Sequence, residues 1–489
     1  MENAGRGAAE AIAEFLGRAR RGARVEIVCG KGGNGGDGFV VARWLRRAGQ
    51  RPTVWLTSPA SEIRGDSARK LADLRRAGIR PRAVEDEDLV AARLRRADVI
   101  VDALLGTGAK GAPSGLTKRM IELINACGRP VIALDVPSGT SADGEAPAGQ
   151  AIRATLTVTF AGLKRGLLMG PSAELAGQVR VIPIGVPDSE VERGVTTHVL
   201  DAADVAPLFP DRPRQAHKGT YGHLLVVGGS RGKTGAAVLA ARAAMRTGTG
   251  LVTVGTPAGQ QPIVASLLLE SMSEALDETR AGTIARESVE AISLLAAARD
   301  AVALGPGLGL EGETQDAARR LVTDLPQPMV VDADALSALA GHLGLLARRR
   351  GPRCLTPHPG EMARMLGVTV ADVEGDRITC VREFVRAHGV HLVLKGAMSV
   401  VGDPDGHVFL NPTGNPGMAS GGMGDVLTGM AGALLARRSE AGAALRAAVY
   451  LHGLAGDMAA ATLGQESLIA GDLIDALPRA LRVLRETTW

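Results

Sequence analysis

The sequence predicts an α/β protein made of two successive α/β units, the first built on a parallel sheet, and three observations carry that expectation. Short β-branched runs alternate with amphipathic stretches from Arg24 almost to the end of the chain, the pattern of strands joined through helical crossovers. The chain has 489 residues, more than a single hydrophobic core serves. Apolar residues make up 45% of it and aromatic ones only 2%, so the interior is assembled from Ala, Val, Leu and Ile, the side chains of helices laid on sheets.

In the first half the strand candidates are RVEIVCG from Arg24, PTVWLT from Pro52, ADVIVDALLG from Ala97, RPVIALDVPSG from Arg129, ATLTVTF from Ala154 and VRVIPIG from Val179. Helices are expected after Asp37, Glu62 and Gly115. A second series follows the Pro-rich segment Ala206 to Pro213: HLLVVGGS from His223, GLVTVGT from Gly250, AVALGPG from Ala301, PMVVDAD from Pro328, RCLTPHPG from Arg353 and HLVLKG from His391, each leading into a helical stretch. The units are therefore expected to be residues 1–200 and 201–489. The two halves do not look like copies of each other, and no short-period repeat is visible.

Composition narrows the function classes. The net charge is +4, and basic residues such as Arg43, Arg46, Arg47 and Arg93, Arg95, Arg96 are spread along helical stretches, where they read as solvated faces. With so few aromatics to stack bases, no nucleic-acid partner is expected. Cys29, Cys127, Cys354 and Cys380 lie far apart without CxxC spacing, which suits reduced thiols and no metal cluster. No signal-peptide pattern and no run of 18 apolar residues occurs, so the expectation is a cytoplasmic protein without a membrane partner. The 64 glycines cluster between apolar runs, where backbone must turn sharply or approach a ligand.

The segment VCGKGGNGGDG, Val28 to Gly38, joins the first strand to the first helix. Its glycines offer backbone N–H groups beside a helix N-terminus, a seat for phosphate; the same run also serves as a plain turn, but Asn34 and Asp37 within it favour a ligand. Asp102 closes one strand ahead of the loop Gly106-Thr107-Gly108, and Asp135 closes the next, with Ser138 shortly after. An Asp in such a place also caps helices. Oxygen donors without Cys or His suit a hard cation, which makes Asn34, Asp102 and Ser138 candidate ligands of K⁺ or a similar ion.

In this order NGGDG, DALLGTG and DVPSG resemble the N-terminal domain of the bifunctional NAD(P)H-hydrate repair enzymes, which is Rossmann-like. The resemblance implies that the first unit interconverts the R and S forms of hydrated NADH and NADPH. It implies that Gly33, Asn34, Gly35, Gly36 and Asp37, with Gly106, Thr107, Gly108, Ala109, Lys110, Gly111 and Ala112, contact the hydrate. Asp135 then lies at the reactive end and moves a proton, and Asn34, Asp102 and Ser138 bind potassium. Two departures stand out. Gly33 replaces the family's usual Asn, losing one side-chain contact, and members usually carry a further helix ahead of the MENAG element at which this chain begins, an expected effect on subunit packing or epimerase activity.

In the second half HKGTYG precedes the strand HLLVVGGS, which runs into Gly235-Ala236-Ala237, and Gly305-Pro306-Gly307-Leu308-Gly309 closes another strand. The stronger signal is NPTGNPGMASGGMGD, Asn411 to Asp425, followed by an apolar helix. Gly421 to Gly424 would aim N–H groups and a helix dipole at a transferring phosphoryl group. Asp425 beside them either complements the dipole or, as GGMGD resembles the ribokinase-like enzymes, acts as catalytic base toward a substrate hydroxyl.

Together HKGTYG, GPGLG, LTPHPGE, VLKGAMS and NPTGNPGMASGGMGD resemble the ADP- or ATP-dependent hydrate dehydratases rather than sugar or vitamin kinases. That implies a ribokinase-like α/β domain using Mg²⁺ with ADP or ATP: the nucleotide phosphorylates the hydrate, and loss of phosphate restores the dihydropyridine. The residues implied at the hydrate are Ala236, Gly307, His358 and Asp425. Those implied at the nucleotide are Lys395, Gly396, Ala397, Met398, Ser399, Asn415, Gly421, Gly422, Met423 and Gly424. His358 alternatively caps a backbone group, and Lys395 is alternatively a surface charge. The rival reading is a small-molecule kinase with a non-catalytic N-terminal module, and a homo-oligomer is expected in either case.

Overall fold

In the first unit the strands are β1 (Arg24–Cys29), β2 (Arg51–Leu56), β3 (Arg82–Ala83), β4 (Val99–Ala103), β5 (Val131–Leu134), β6 (Leu156–Phe160) and β7 (Gln178–Ile182). They pair in parallel, in the order β3-β2-β1-β4-β5-β6-β7. β4 and β5 are buried along their whole length, as strands covered by helices on both faces must be. The order turns back between β1 and β4, and open α/β sheets hold ligands in the crevice outside the C-terminal ends of such a pair. The computed structural model describes residues 1–17 and 20–486; by internal contacts it divides into two units, Met1–Val195 and a second beginning at Thr196.

The helix after β1 departs from expectation. It spans Gly33–Arg47 rather than starting after Asp37, so NGGDG forms its opening turns instead of a loop. Close packing explains the glycines there: a Cβ on Gly35 would lie 1.9 Å from the Gly30 carbonyl oxygen, and one on Gly38 would lie 2.7 Å from Cys29 Sγ and 2.8 Å from Ala103 Cβ. Both positions let the helix lie directly on β1 and β4. Gly33 has open space where a Cβ would be. Gly35→Ala is therefore expected to destabilise the first unit by about 3 kcal/mol, the upper range for overpacking. Gly33→Ala is expected to be neutral or stabilising by roughly 0.5 kcal/mol, since Ala is the better helix former; paired denaturant melts check both.

The second unit contains β8 (Thr197–Val199), β9 (His223–Val227), β10 (Leu251–Pro257), β11 (Met272–Leu276), β12 (Ala301–Leu304), β13 (Met329–Val331), β14 (Arg353–Leu355), β15 (His391–Leu394), β16 (Ser399–Gly402) and β17 (Val408–Asn411). Their order is β11-β10-β9-β12-β13-β14-β15-β16-β17-β8. The sheet is mixed: β15 pairs with β16, and β16 with β17, in antiparallel fashion. Only residues 395–398 separate β15 from β16, too few for the crossover that a parallel pair requires. β8 adds parallel to β17, which draws residues 196–200 into the second unit. The helix Met423–Ala436 lies almost wholly buried in the core of this unit, and Gly429 lets it meet the helix Thr234–Thr247, since a Cβ there would lie 2.0 Å from the Ala240 carbonyl oxygen.

Candidate active sites

At the crevice of the first unit three strand ends and the helix after β1 converge. Asn34, 8% exposed, donates from Nδ2 to the carbonyls of Leu105 (2.7 Å) and Leu134 (3.1 Å). Ser138 Oγ reaches the same Leu105 carbonyl (3.2 Å) and donates to Asp102 Oδ1 at 2.6 Å. Asp102 is fully buried and accepts further bonds from the Ser138 and Leu104 amides. Burial raises its pKa to about 6, against the lowering effect of the Ser138 and Leu104 hydrogen bonds.

These three residues fit a weakly charged cation. Asn34 Oδ1 is buried without a hydrogen-bond partner, and the hydrogen bonds to Asp102 come only from Ser138 and Leu104, so the carboxylate gains dipoles but no counter-charge from them. One carboxylate, one amide oxygen and one hydroxyl form a hard, singly charged donor set.

The rest of the crevice is lined by Asp37, Asp135 and the loop that follows β4. Asp135 Oδ2 accepts from the Thr107 amide (3.3 Å), and its Oδ1 lies 2.9 Å from Lys164 Nζ. Gly106 sits against Asn34 and Asp135, with its Cβ position 3.3 Å from Asp135 Oδ2. Gly108 and Gly111 face open space, and Ala109, Lys110 and Ala112 are exposed, so the loop forms the rim of the crevice and Gly106 its wall. Burial pushes the Asp37 carboxyl up to about 7, with the Met1 amine opposing and Asp135 adding to the shift.

In the second unit Asp332 follows β13, His358 lies just beyond β14, and Lys395 follows β15. These strands are parallel neighbours, so the three residues emerge at one edge. Lys395 Nζ donates to Asp332 Oδ1 (3.0 Å) and lies 3.7 Å from Glu361 Oε2. Asp332 Oδ2 accepts from Thr428 Oγ1 at 2.7 Å. Thr428 belongs to the helix that carries Asp425, so Asp332 ties the lysine to that helix. Gly422 caps the helix with φ +88, and a Cβ on Gly424 would stand 3.4 Å from Lys395 Nζ.

Charge is dense here. Burial first, then the carboxylates Asp332, Asp334 and Glu361, raise the Asp425 carboxyl to about 7 against the opposing pull of Lys395. Burial works against the ammonium of Lys395, but Asp332, Glu361 and Asp425 more than offset that and hold its pKa above the ordinary value. Unpaired first-turn N–H groups, a fixed ammonium and a proton-accepting carboxyl can together hold a transferring phosphoryl group and deprotonate the attacking hydroxyl. Gly307 and Ala236 meet nearby, 3.1 Å apart at the Cβ position. Asp334 links them to the cluster by accepting from Lys233 Nζ (3.0 Å) and the Gly309 amide (2.8 Å).

Two expected contacts have structural duties. His358 Nδ1 caps the helix Pro359–Leu366, accepting from the amides of Gly360 and Glu361, while the ring remains 54% exposed. Asn415 accepts from the Gly417 amide and donates to Asp457 Oδ1 at 2.9 Å, so both ends of its side chain are occupied outside the Lys395 cluster. The loop Gly396 to Ser399 is anchored from below by Arg377, whose guanidinium donates to the carbonyls of Leu394, Lys395 and Ala397. His452, half-buried and lowered chiefly by desolvation to about 4, lies with Nε2 2.9 Å from the Met423 carbonyl oxygen.

Sequence reasoning missed Asp332, Glu361, Arg377, Thr428 and His452. Asp332 carried a usable signal, an Asp closing a strand, the same feature that singled out Asp102 and Asp135. Glu361 lay within the LTPHPGE motif, three residues from the His358 it caps; Arg377, Thr428 and His452 had no such signal, because their partners are distant in sequence.

The family model described as "YjeF-related protein N-terminus" matches residues 1–166, and the one described as "NAD(P)H-hydrate dehydratase" matches residues 224–479. A bifunctional NAD(P)H-hydrate repair enzyme of Moorella thermoacetica is 44% identical over 490 residues, covering 99% of this chain and 92% of that protein. The Escherichia coli enzyme of the same name is 35% identical, covering 93% and 84%. Among solved structures, the ADP/ATP-dependent NAD(P)H-hydrate dehydratase of Bacillus subtilis, co-crystallised with ATP and Mg²⁺, is 34% identical with a TM-score of 0.50, covering 59% of this chain and 98% of its own. A ribokinase-like superfamily protein of Enterococcus faecalis is 25% identical with a TM-score of 0.51, covering 59% and 96%, and the second unit has this fold. Similarity at this level along nearly the whole length of both proteins makes the chain a member of the family of bifunctional NAD(P)H-hydrate repair enzymes.

Proposed function

We propose that this protein returns hydrated NADH and NADPH to use: residues 1–195 interconvert the R and S hydrates, and the remainder dehydrates the S form with ADP or ATP and Mg²⁺. The observation that carries the reading is Asp425 at a Gly-capped helix start beside the Lys395–Asp332 pair. In the dehydration, Asp425 takes the proton of the hydrate's hydroxyl as its oxygen attacks the terminal phosphorus. Gly421 to Gly424 and Lys395 to Ser399 hold the phosphates; Ala236, Gly307 and His358 face the hydrate. Phosphate then departs with the former hydroxyl oxygen, the adjacent ring carbon gives up a proton, and that C–H electron pair becomes the restored ring double bond. The excess of carboxylate, Asp332, Asp334, Glu361 and Asp425 against Lys395 and Lys233, suits a nucleotide carried as its magnesium complex.

In the first unit Asp135 moves a proton during epimerisation. Asn34, Asp102 and Ser138 would hold K⁺, which supplies positive charge to the crevice. The reading extends to a homo-oligomer acting in the cytoplasm; among the described residues no helix is long and apolar enough to cross a membrane.

The test is incubation with nucleotide, Mg²⁺ and a racemic NADH hydrate. Full recovery of the dihydropyridine absorbance is expected. Recovery of only the S half beyond the spontaneous rate would remove the epimerase activity, and accumulation of a phosphorylated alcohol would favour a small-molecule kinase instead.

A further inference from the structure

Inversion at the hydrated carbon needs two proton-transfer groups. Hydration of a dihydropyridine beside the ring nitrogen gives a carbinolamine. A base takes the hydroxyl proton, the freed electron pair forms C=O, the C–N bond breaks toward nitrogen, and nitrogen takes a proton from an acid. Rotation about the neighbouring C–C bond presents the other carbonyl face, and the same steps in reverse close the ring. Protons and electrons balance without an oxidant or reductant.

The crevice of the first unit holds two carboxyl groups in opposite settings. Asp135 is engaged on both oxygens: Oδ1 lies 2.9 Å from Lys164 Nζ, and Oδ2 accepts from the Thr107 amide. Lys164 is itself fixed by donating to the Phe160 carbonyl at 2.6 Å. The backbone of Asp135 has φ +66, a left-handed conformation of the kind that gathers at functional sites. Asp37, in the opening turns of the helix after β1, has its Oδ1 buried with no hydrogen-bond partner, and its side chain is 14% exposed. The charged groups acting on it are Asp135, whose carboxylate disfavours a second charge, and the Met1 amine at 3.9 Å. One carboxyl thus has both oxygens engaged, by an ammonium and an amide, while the other keeps a buried oxygen without a hydrogen-bond partner beside a like charge, two settings of the kind that assign different roles to like residues.

Resting on the epimerase reading above, we propose that Asp37 is the general acid of the first site, paired with Asp135 as base, and that Lys164 is a positioning residue that orients Asp135.

The experiment follows enzyme-accelerated conversion of R to S hydrate by the full chain. Asp37→Asn is expected to lower kcat by about 100-fold or more with KM within roughly threefold, and to leave S-hydrate dehydration at the wild-type rate; Asp37→Glu, which retains an acid, recovers part of the loss. Lys164→Met is expected to displace the rising limb of the kcat/KM profile upward by about one pH unit, the direction expected when a cation beside a carboxylate is removed, and Lys164→Arg restores it. The assignment is overturned if Asp37→Asn stays within threefold of wild type in kcat, or if Lys164→Met scales the profile without moving it. A wild type that leaves R hydrate at its spontaneous rate overturns the epimerase reading along with the proposal.

Discussion

Asp425→Asn is expected to reduce dehydration of the S hydrate by about a thousandfold, within the range lost when a positioned general base is removed, while R and S hydrates still interconvert. Asn keeps the shape and the hydrogen-bonding reach of the side chain at the helix start but accepts no proton. In the wild type the base must be ionised, so with a carboxyl held up to about 7 chiefly by burial, kcat/KM is expected to fall as pH drops below neutrality. Stability moves the other way. A carboxyl whose folded-state pKa is raised favours the fold below its unfolded pKa, roughly 4, and loses that contribution as pH rises through about 7. Above neutrality the folded enzyme therefore carries the cost of a buried charge that Asn lacks. The variant is expected to gain about 1 kcal/mol at pH 8 and almost nothing at pH 4, the usual exchange of stability for activity. A thermal melt at each pH, with single-turnover dehydration, checks both. Dehydration equal to wild type would remove Asp425 from the mechanism.

Asp102→Ala is expected to cost about 3 kcal/mol in the first unit and abolish epimerisation, because Ser138 N, Ser138 Oγ and Leu104 N would lose their acceptor at a fully buried position. Asp102→Asn separates shape from charge. With the anion gone, the set formed with Asn34 Oδ1 and Ser138 Oγ no longer attracts a cation. Replacing choline chloride with KCl is expected to raise the melting temperature of the wild-type first unit by a few degrees, as a ligand that binds only the folded state must, and to leave Asp102→Asn unmoved. A wild type whose melting is identical in the two salts would dismiss the cation, whatever the variants do.

The local half of the architecture was legible. Parallel strands follow from β-branched runs alternating with amphipathic stretches, and polar residues at strand ends follow from where such sheets expose their loops. Asp102, Asp135 and Asp425 stood out because each sits where a strand ends or a helix begins, a relation read within a few residues. NGGDG was read as part of a loop, and it forms the opening turns of a helix; the glycines at Gly35 and Gly38 are needed there for helix-to-sheet packing, a requirement set by atoms at and just beyond the ends of β1 and β4. The extension of the second sheet beyond β15 was missed because β8, β16 and β17 are three or four residues long and show no lasting alternation.

What the chain determined by its own order is the kind of residue delivered to each edge: oxygen donors at the first crevice, and a carboxylate behind a glycine-rich helix start at the second. What the tertiary structure decided is which of them meet. Asp332 and Lys395 are 63 residues apart in sequence, and Thr428 and Asp332 are 96 apart, yet one carboxylate joins all three. Such pairings arise from strand register and helix packing, which bring distant segments within hydrogen-bond reach, and no spacing along a single segment encodes them.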